Sequence, residues 1–142
     1  GRRDFVAPAV GFLLLAPVLY GLGAWVGFLE PPHAPPDPRP GAMAARWAVI
    51  FAATALPEEI LFRSLIQNLL MLRFGFGNAV LAISAAIFGL AHLNNGGFPN
   101  WRYAVLAAVA GFGFGKVFQS SGSVLSPAAV HATVNAVKHF VL

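Results

Sequence analysis

The chain has 142 residues, of which 58% are hydrophobic and only 10% are charged, and its mean hydropathy is +0.72. A soluble domain of this length could not bury so much apolar surface in one core, so we expect lipid to cover its outside. The net charge of +4 comes from few residues, with no basic run among aromatic residues, which argues against nucleic-acid binding. The sequence contains no cysteine, which excludes disulfides and thiolate chemistry.

Apolar runs predict a single transmembrane domain over residues 1–142. The first run follows Arg2 and Arg3, and it exceeds the ~20 helical residues that cross a bilayer core. These arginines favour a cytoplasmic N-terminus. Six prolines within residues 30–41 argue against helix and strand there and predict an exposed loop. The fold class is therefore an all-α, polytopic transmembrane helical bundle of about five spans, predicted at 5–29, 42–72, 79–93, 101–118 and 124–142.

The second span carries the sequence Pro57-Glu58-Glu59-Ile60-Leu61-Phe62-Arg63. Ionisable groups in hydrocarbon cost ~2.5–3.5 kcal/mol or more, so they indicate function with a named partner. Glu59 and Arg63 share one helix face at i,i+4 spacing, which fits a structural ion pair as well as a catalytic role, and we favour structure. Glu58 is turned about 100° away and lacks a partner on its helix. We expect Pro57 to kink the helix beside it.

Polar residues recur at i,i+4 spacing on two further spans. Phe88 and His92 end the third span, and His131 and Asn135 lie on the fifth. Alone, His92 would be interfacial and His131 a hydrogen-bonded core residue. Their occurrence together with Glu58 on three helices predicts one internal site, because a bundle satisfies such groups by turning them toward one another.

This combination of side chains suits hydrolysis of an amide or ester bond. A carboxylate beside an imidazole can hold a water molecule and accept its proton. A neighbouring His–Asn pair can donate hydrogen bonds to the oxyanion that forms when water attacks a carbonyl. No serine stands in a nucleophile-elbow motif. Glu58, His92 and His131 would also supply the three ligands of a catalytic zinc site, so a metal-free site and a zinc site are both open.

Three motifs in this order resemble those of the CPBP group of intramembrane proteases. They are Glu58-Glu59-x-x-x-Arg63, Phe88-x-x-x-His92 and His131-x-x-x-Asn135. The group includes the type II CAAX prenyl endopeptidases and bacterial proteins of bacteriocin processing or immunity. The resemblance extends over about residues 45–140, with Ser64 where many members have glycine.

The resemblance implies an intramembrane endopeptidase of the glutamic type. Glu58 and His92 would activate the water, and His131 and Asn135 would stabilise the oxyanion. It implies no cofactor, with Zn²⁺ on Glu58, His92 and His131 as the alternative, and we prefer the metal-free site. The residues that would support the site structurally are Glu59, Arg63 and Phe88.

The implied partners are the lipid bilayer and a peptide or protein substrate with a membrane-associated tail. We expect a multi-pass protein of a bacterial inner membrane that processes C-terminal sorting or prenylated tails. One alternative is a non-catalytic immunity or scaffold protein with the same fold, and another is a metal or proton pathway built on the same residues. Lys138 and His139, close to the C-terminal end of the last span, are expected in solvent or at the membrane interface.

Overall fold

The computed structural model describes residues 2–141, with side chains from residue 6 to residue 140. Over that range the chain forms five helices and no strand. The predicted all-α fold class is therefore confirmed. The helices are α1 (Arg2–Trp25), α2 (residues 40–74), α3 (Asn78–Ala91), α4 (Trp101–Ser121) and α5 (Leu125–Val141).

Two of these helices are long and apolar enough to cross a membrane by length and composition. They are Val6–Trp25 in α1 and Trp101–Ser121, whereas Asn78–Ala91 is apolar but shorter. Much of the outer surface is apolar as well, with Leu13 69% and Leu72 74% exposed. Large exposed apolar surfaces mark contacts with lipid or protein. The topology of about five spans stays a prediction.

Helix α2 is continuous but changes its hydrogen-bonding pattern around the predicted kink. Pro40 lies in its first turn, where the missing N–H is not needed. A short α-helical segment, Leu56–Glu59, is flanked by two π-helical segments, Phe51–Ala55 and Ile60–Gln67. Such π-helical insertions occur frequently at functional sites. Pro57 lies in the short α-helical segment between them, and the kink expected beside it stays a prediction.

The loop between α1 and α2 contains a glycine turn and a surface ion pair. The first helix ends at Trp25, before the predicted boundary at 29, and Gly27 turns the chain with a φ of +66°. In the proline-rich loop, the Arg39 guanidinium donates to the Asp37 carboxylate at 2.7 Å and holds the pKa of Asp37 below its ordinary value. This pair is close to solvent and contributes little stability.

The start of α4 is held by Asn100. Its side-chain oxygen accepts a hydrogen bond from the backbone N–H of Tyr103 at 3.2 Å, as N-cap residues do. Its amide nitrogen donates to the Asn95 carbonyl at 2.7 Å. This double contact closes the loop after α3 and fixes the position of Tyr103.

Helices α3 and α4 form the tightest pair in the described bundle. A Cβ atom added at Gly89 would lie 2.5 Å from the carbonyl oxygen of Ala104, so only glycine permits this backbone approach. On the facing helix, a Cβ at Gly111 would lie 2.9 Å from the Phe88 ring. The core between the helices consists of large apolar residues with small ones between them: Leu15, Phe62, Phe88, Ala107, Ala110, Phe114, Val117 and Val130.

Candidate active site

A buried ion pair on α2 forms the base of the site. The Arg63 Nε atom donates to Glu59 Oε2 at 2.7 Å, and both side chains are fully buried. The guanidinium carbon also lies 5.0 Å from the centroid of the Phe88 ring. A buried ion without its partner costs several kcal/mol. Each ion of this pair therefore depends on the other, and Phe88 covers the cation.

Gln67 connects the part of α2 that carries this ion pair to α4. It lies one turn beyond Arg63 and is fully buried, and its side-chain nitrogen donates to the Gly115 carbonyl at 3.2 Å. A Cβ at Gly115 would come within 2.6 Å of Gln67 Oε1. Sequence reasoning missed Gln67, although the repeated i,i+4 spacing of Glu59, Arg63 and Gln67 was a signal that could have found it.

Glu59 links α2 to α5 through its second oxygen. Glu59 Oε1 lies 2.9 Å from the Nδ1 atom of His131. A carboxylate only accepts hydrogen bonds, so His131 Nδ1 carries the proton. The Phe114 ring stacks on the imidazole with centroids 4.7 Å apart and planes 17° apart. These two contacts fix the orientation of the imidazole and direct its Nε2 atom toward Glu58.

The end of α3 orients His92 in a similar way. The backbone N–H of His92 donates to the Gly89 carbonyl, and the imidazole Nδ1 lies 2.7 Å from the Phe88 carbonyl oxygen. The carbonyl only accepts, so this Nδ1 also carries a proton. One of the last carbonyls of the helix, which otherwise lack intrahelical partners, thereby holds the imidazole. Its Nε2 atom faces Glu58.

Glu58 lies between the two imidazoles. Its Oε2 atom is 3.7 Å from His92 Nε2 and 3.9 Å from His131 Nε2. This oxygen is buried and has no hydrogen-bond partner among the described residues, a rare condition for a buried polar atom. Both nitrogens are too far from this oxygen for a direct hydrogen bond and close enough to share one small polar ligand with it. The structure thus brings together three of the four residues predicted to be catalytic.

The fourth, Asn135, meets the imidazoles in a cavity of about 490 Å³. His92, His131 and Asn135 line it together with mainly apolar side chains of α1, α4 and α5. Sequence reasoning did not include Tyr103 or Lys138, which line the same cavity. The Tyr103 ring lies 5.1 Å from the His92 ring, centroid to centroid. Lys138 is one turn beyond Asn135 on α5, and this spacing was the available signal.

A family model described as Type II CAAX prenyl endopeptidase Rce1-like matches residues 40–137. The match covers well over half of the chain and includes Glu58, His92, His131 and Asn135. The chain belongs to the Rce1-like family. The resemblance drawn from the three motifs is therefore confirmed. Membership in the Rce1-like family implies a membrane-embedded protease of the CAAX type, and the two long apolar helices fit this class. No curated protein and no solved structure matches the chain.

This Rce1-like site has donor atoms of the types that zinc requires. Two imidazole Nε2 atoms and a carboxylate are suitable ligand types, and zinc-binding histidines usually have their other ring nitrogen hydrogen-bonded, as His92 and His131 do. Ligands around a tetrahedral zinc lie about 3.4 Å apart, given bonds of ~2.0–2.2 Å. The distances from Glu58 of 3.7 and 3.9 Å are slightly wider. Among the described side chains no group of three is close enough to hold a metal as it stands. The donor types fit zinc, and a small movement of the three side chains toward one another would bring them to ligand distance.

Proposed function

We propose that this Rce1-like protein is an intramembrane endopeptidase that hydrolyses a peptide bond of a membrane-associated protein. Its five helices cross a bacterial inner membrane, and Glu58 activates the attacking water. The observation that carries the proposal is the buried Glu58 oxygen, which faces two imidazole nitrogens at 3.7 and 3.9 Å without a hydrogen-bond partner among the described residues. A free acceptor in that position is what a general base requires.

Glu58 and His92 hold the water in the first step. Because His92 Nδ1 donates to the Phe88 carbonyl, its Nε2 lone pair can accept one hydrogen of the water while Glu58 Oε2 accepts the other. As the water oxygen attacks the scissile carbonyl, its proton passes to Glu58. Glu58 then gives that proton to the leaving amine when the C–N bond breaks, which returns the carboxylate to its starting form.

His131 and Asn135 stabilise the negative charge on the carbonyl oxygen. The cluster contains the half-buried carboxylate of Glu58 and the fully buried Glu59 and Arg63, so a protonated His131 makes it neutral. Neutral clusters are far cheaper to bury than charged ones. In this form, His131 Nδ1–H donates to Glu59 and Nε2–H is free to donate to the oxyanion. The Asn135 amide supplies the second donor.

The cavity determines which part of the substrate is bound. Its wall is mainly apolar, with Phe12, Leu19 and Leu106 among its lining residues, and its volume of about 490 Å³ is within the range of small-ligand pockets. It suits an isoprenoid chain or the apolar side chains of a sorting tail. The substrate is therefore a protein with a C-terminal membrane-associated tail, and the partner on the outside is the bilayer.

We favour a site that works without metal. In the zinc alternative, Glu58, His92 and His131 would hold the ion, which lowers the pKa of its bound water to ≈ 7. Two measurements on the purified protein distinguish the metal-free site from the zinc site. They are its metal content and its cleavage activity before and after treatment with a chelator. Full cleavage at sub-stoichiometric metal supports the metal-free site. Loss of cleavage that zinc restores supports the alternative.

The test of the proposed function uses quenched-fluorescence peptides in liposomes that contain the purified protein. Each peptide has an apolar anchor, prenylated or not, followed by a varied C-terminal tail. We expect the wild-type protein to cleave a subset and Glu58→Gln to cleave none, with unchanged thermal unfolding. Equal cleavage by the folded Glu58→Gln protein would contradict the proposal. Cleavage by neither protein would favour the non-catalytic immunity or scaffold function.

A further inference from the structure

The cavity beside the candidate site contains an ammonium group. Lys138 is half-buried and lines the cavity. Its Nζ atom lies 4.7 Å from the ring centroid of Phe28 and 4.6 Å from that of Tyr103, and these two rings stack on each other at 5.3 Å. Within residues 6–140, the carboxylates in ion pairs face other groups: Asp37 pairs with Arg39, Glu59 with Arg63 and His131, and Glu58 lies near His92 and His131.

The aromatic rings contact this cation, and no side chain within residues 6–140 forms an ion pair with it. Ring faces attract an ammonium group through their quadrupoles, yet they do not replace the acceptors that water supplies. An ammonium group has three N–H donors and no acceptor. In an apolar cavity the attraction of such a group for an anion is much stronger than in water. The ligand that completes this environment is therefore an anion that reaches the cavity.

Lys138 lies within reach of the candidate catalytic groups. It follows His131 and Asn135 on α5 at i+7 and i+3, which places the three residues on one helix face. The Tyr103 ring that holds the ammonium lies 5.1 Å from the His92 ring. The ammonium is therefore no farther from His92 than about three extended residues, or ~10 Å at ~3.3–3.6 Å per residue. A peptide bound with its scissile bond at His92 can place a carboxylate at Lys138.

We infer that Lys138 binds a carboxylate of the substrate and so selects peptides that carry a negative charge within about three residues of the scissile bond. This inference rests on the proposed protease function. Two groups of a peptide supply such a carboxylate: its C-terminal end, or an aspartate or glutamate side chain. Lys138 is a specificity-determining residue in this account and takes no part in the hydrolysis itself.

The experiment compares three versions of one peptide that the wild-type protein cleaves. The first has a free C-terminal carboxylate, the second a C-terminal carboxamide, and the third a carboxamide with a glutamate in its tail. The variants are Lys138→Met, Lys138→Gln and Lys138→Arg. The matched control is Lys116→Met, which removes the other lysine of the sequence. Lys116 is exposed and donates to Asn78 Oδ1 at 2.7 Å, outside the cavity.

We expect Lys138→Met and Lys138→Gln to raise KM for a carboxylate-bearing peptide about tenfold or more, the size of one lost charge-assisted hydrogen bond. Their kcat stays within about twofold of the wild-type value because the reacting groups are intact. Lys138→Arg keeps the charge and restores most of the affinity. The carboxamide peptide and the Lys116→Met control show no change. If KM rises for the free-acid peptide alone, Lys138 binds the C-terminal carboxylate. If KM rises for the glutamate peptide, Lys138 binds a side-chain carboxylate.

Two results overturn the inference about Lys138. One is an equal change in KM for the acid and carboxamide peptides, and the other is an effect of Lys138→Met that appears only in vesicles with anionic lipid. If the wild-type protein cleaves no peptide at all, the proposed function fails separately. Fluorescence anisotropy of the labelled acid and carboxamide peptides with Glu58→Gln protein then still tests Lys138. Equal dissociation constants for the two peptides would overturn the inference in that case as well.

Discussion

Glu58 and Glu59 are neighbours on one helix and both face His131, yet their burial and hydrogen bonding differ. Glu59 is fully buried, and its two oxygens bind Arg63 at 2.7 Å and His131 at 2.9 Å. The Glu58 side chain is 31% exposed, and its buried oxygen has no hydrogen-bond partner among the described residues. A step of about 100° along the helix separates the two environments. A carboxylate whose lone pairs are occupied supports structure, whereas one with a free acceptor is available to bind water.

The largest expected effect comes from Glu59→Gln. This change leaves the buried Arg63 without its counter-charge and His131 without its orienting carboxylate. Breaking a buried pair costs about 3–5 kcal/mol, so we expect a large loss in the free energy of unfolding and loss of cleavage with it. Unfolding in detergent measures the first effect. The double variant Glu59→Gln, Arg63→Met is the control and should recover part of the stability. Wild-type stability in the single variant would contradict the role of Glu59.

The next effect is expected at His92. His92→Ala removes the nitrogen that holds the water with Glu58 while it keeps the buried network on α2 intact. Because a positioned acid or base contributes about 10²–10⁴-fold, kcat should fall by about that factor, with only a small change in thermal unfolding. His33→Ala, on an exposed loop residue, is the control. A kcat close to wild type would remove His92 from the proposed chemistry.

Asn135→Ala tests the proposed oxyanion donor. Loss of one such donor typically lowers kcat by about 10²–10³-fold, and the apolar cavity should still bind substrate, so KM changes little. Kinetics with the peptide cleaved by wild type measures both constants. Asn94→Ala, in the exposed turn after α3, serves as the control. A change in KM alone would show that Asn135 binds substrate without stabilising the oxyanion.

The smallest effect is expected at Gly115. A Cβ there would lie 2.5 Å from Leu81 and 2.6 Å from Gln67, so Gly115→Ala should cost about 1–3 kcal/mol through overpacking. Gly21→Ala has nothing within 4 Å of the added atom and is the control. Thermal unfolding of both proteins is the measurement. Similar unfolding temperatures would contradict the tight contact of α4 with Leu81 on α3 and Gln67 on α2.

Local spacing in the sequence was enough to predict part of the fold and of the candidate site. The i,i+4 pattern predicts that Arg63 reaches Glu59, and the structure contains that contact at 2.7 Å. The all-α class followed from apolar runs and proline-rich breaks in the same way. The catalytic roles of Glu58, His92, His131 and Asn135 stay predictions, to be tested by their variants.

The grouping of Glu58, His92 and His131 could be predicted from their occurrence on three helices, but the exact partners and distances between helices could not. The bond from Glu59 to His131 depends on how α2 packs against α5, and no spacing along one helix encodes that distance. The two π-helical segments around Leu56–Glu59 also have no signal in the sequence. The position of Lys138 beside the stacked rings of Phe28 and Tyr103 likewise depends on contacts that no spacing along α5 predicts.

The division of labour between the two glutamates is tested most directly by Glu58→Gln. Cleavage rate and thermal unfolding are measured on the same liposome preparation of this variant and of the wild-type protein. The account predicts wild-type unfolding with the cleavage rate reduced by about 10²–10⁴-fold or to background. A folded Glu58→Gln protein that cleaves at the wild-type rate would contradict it.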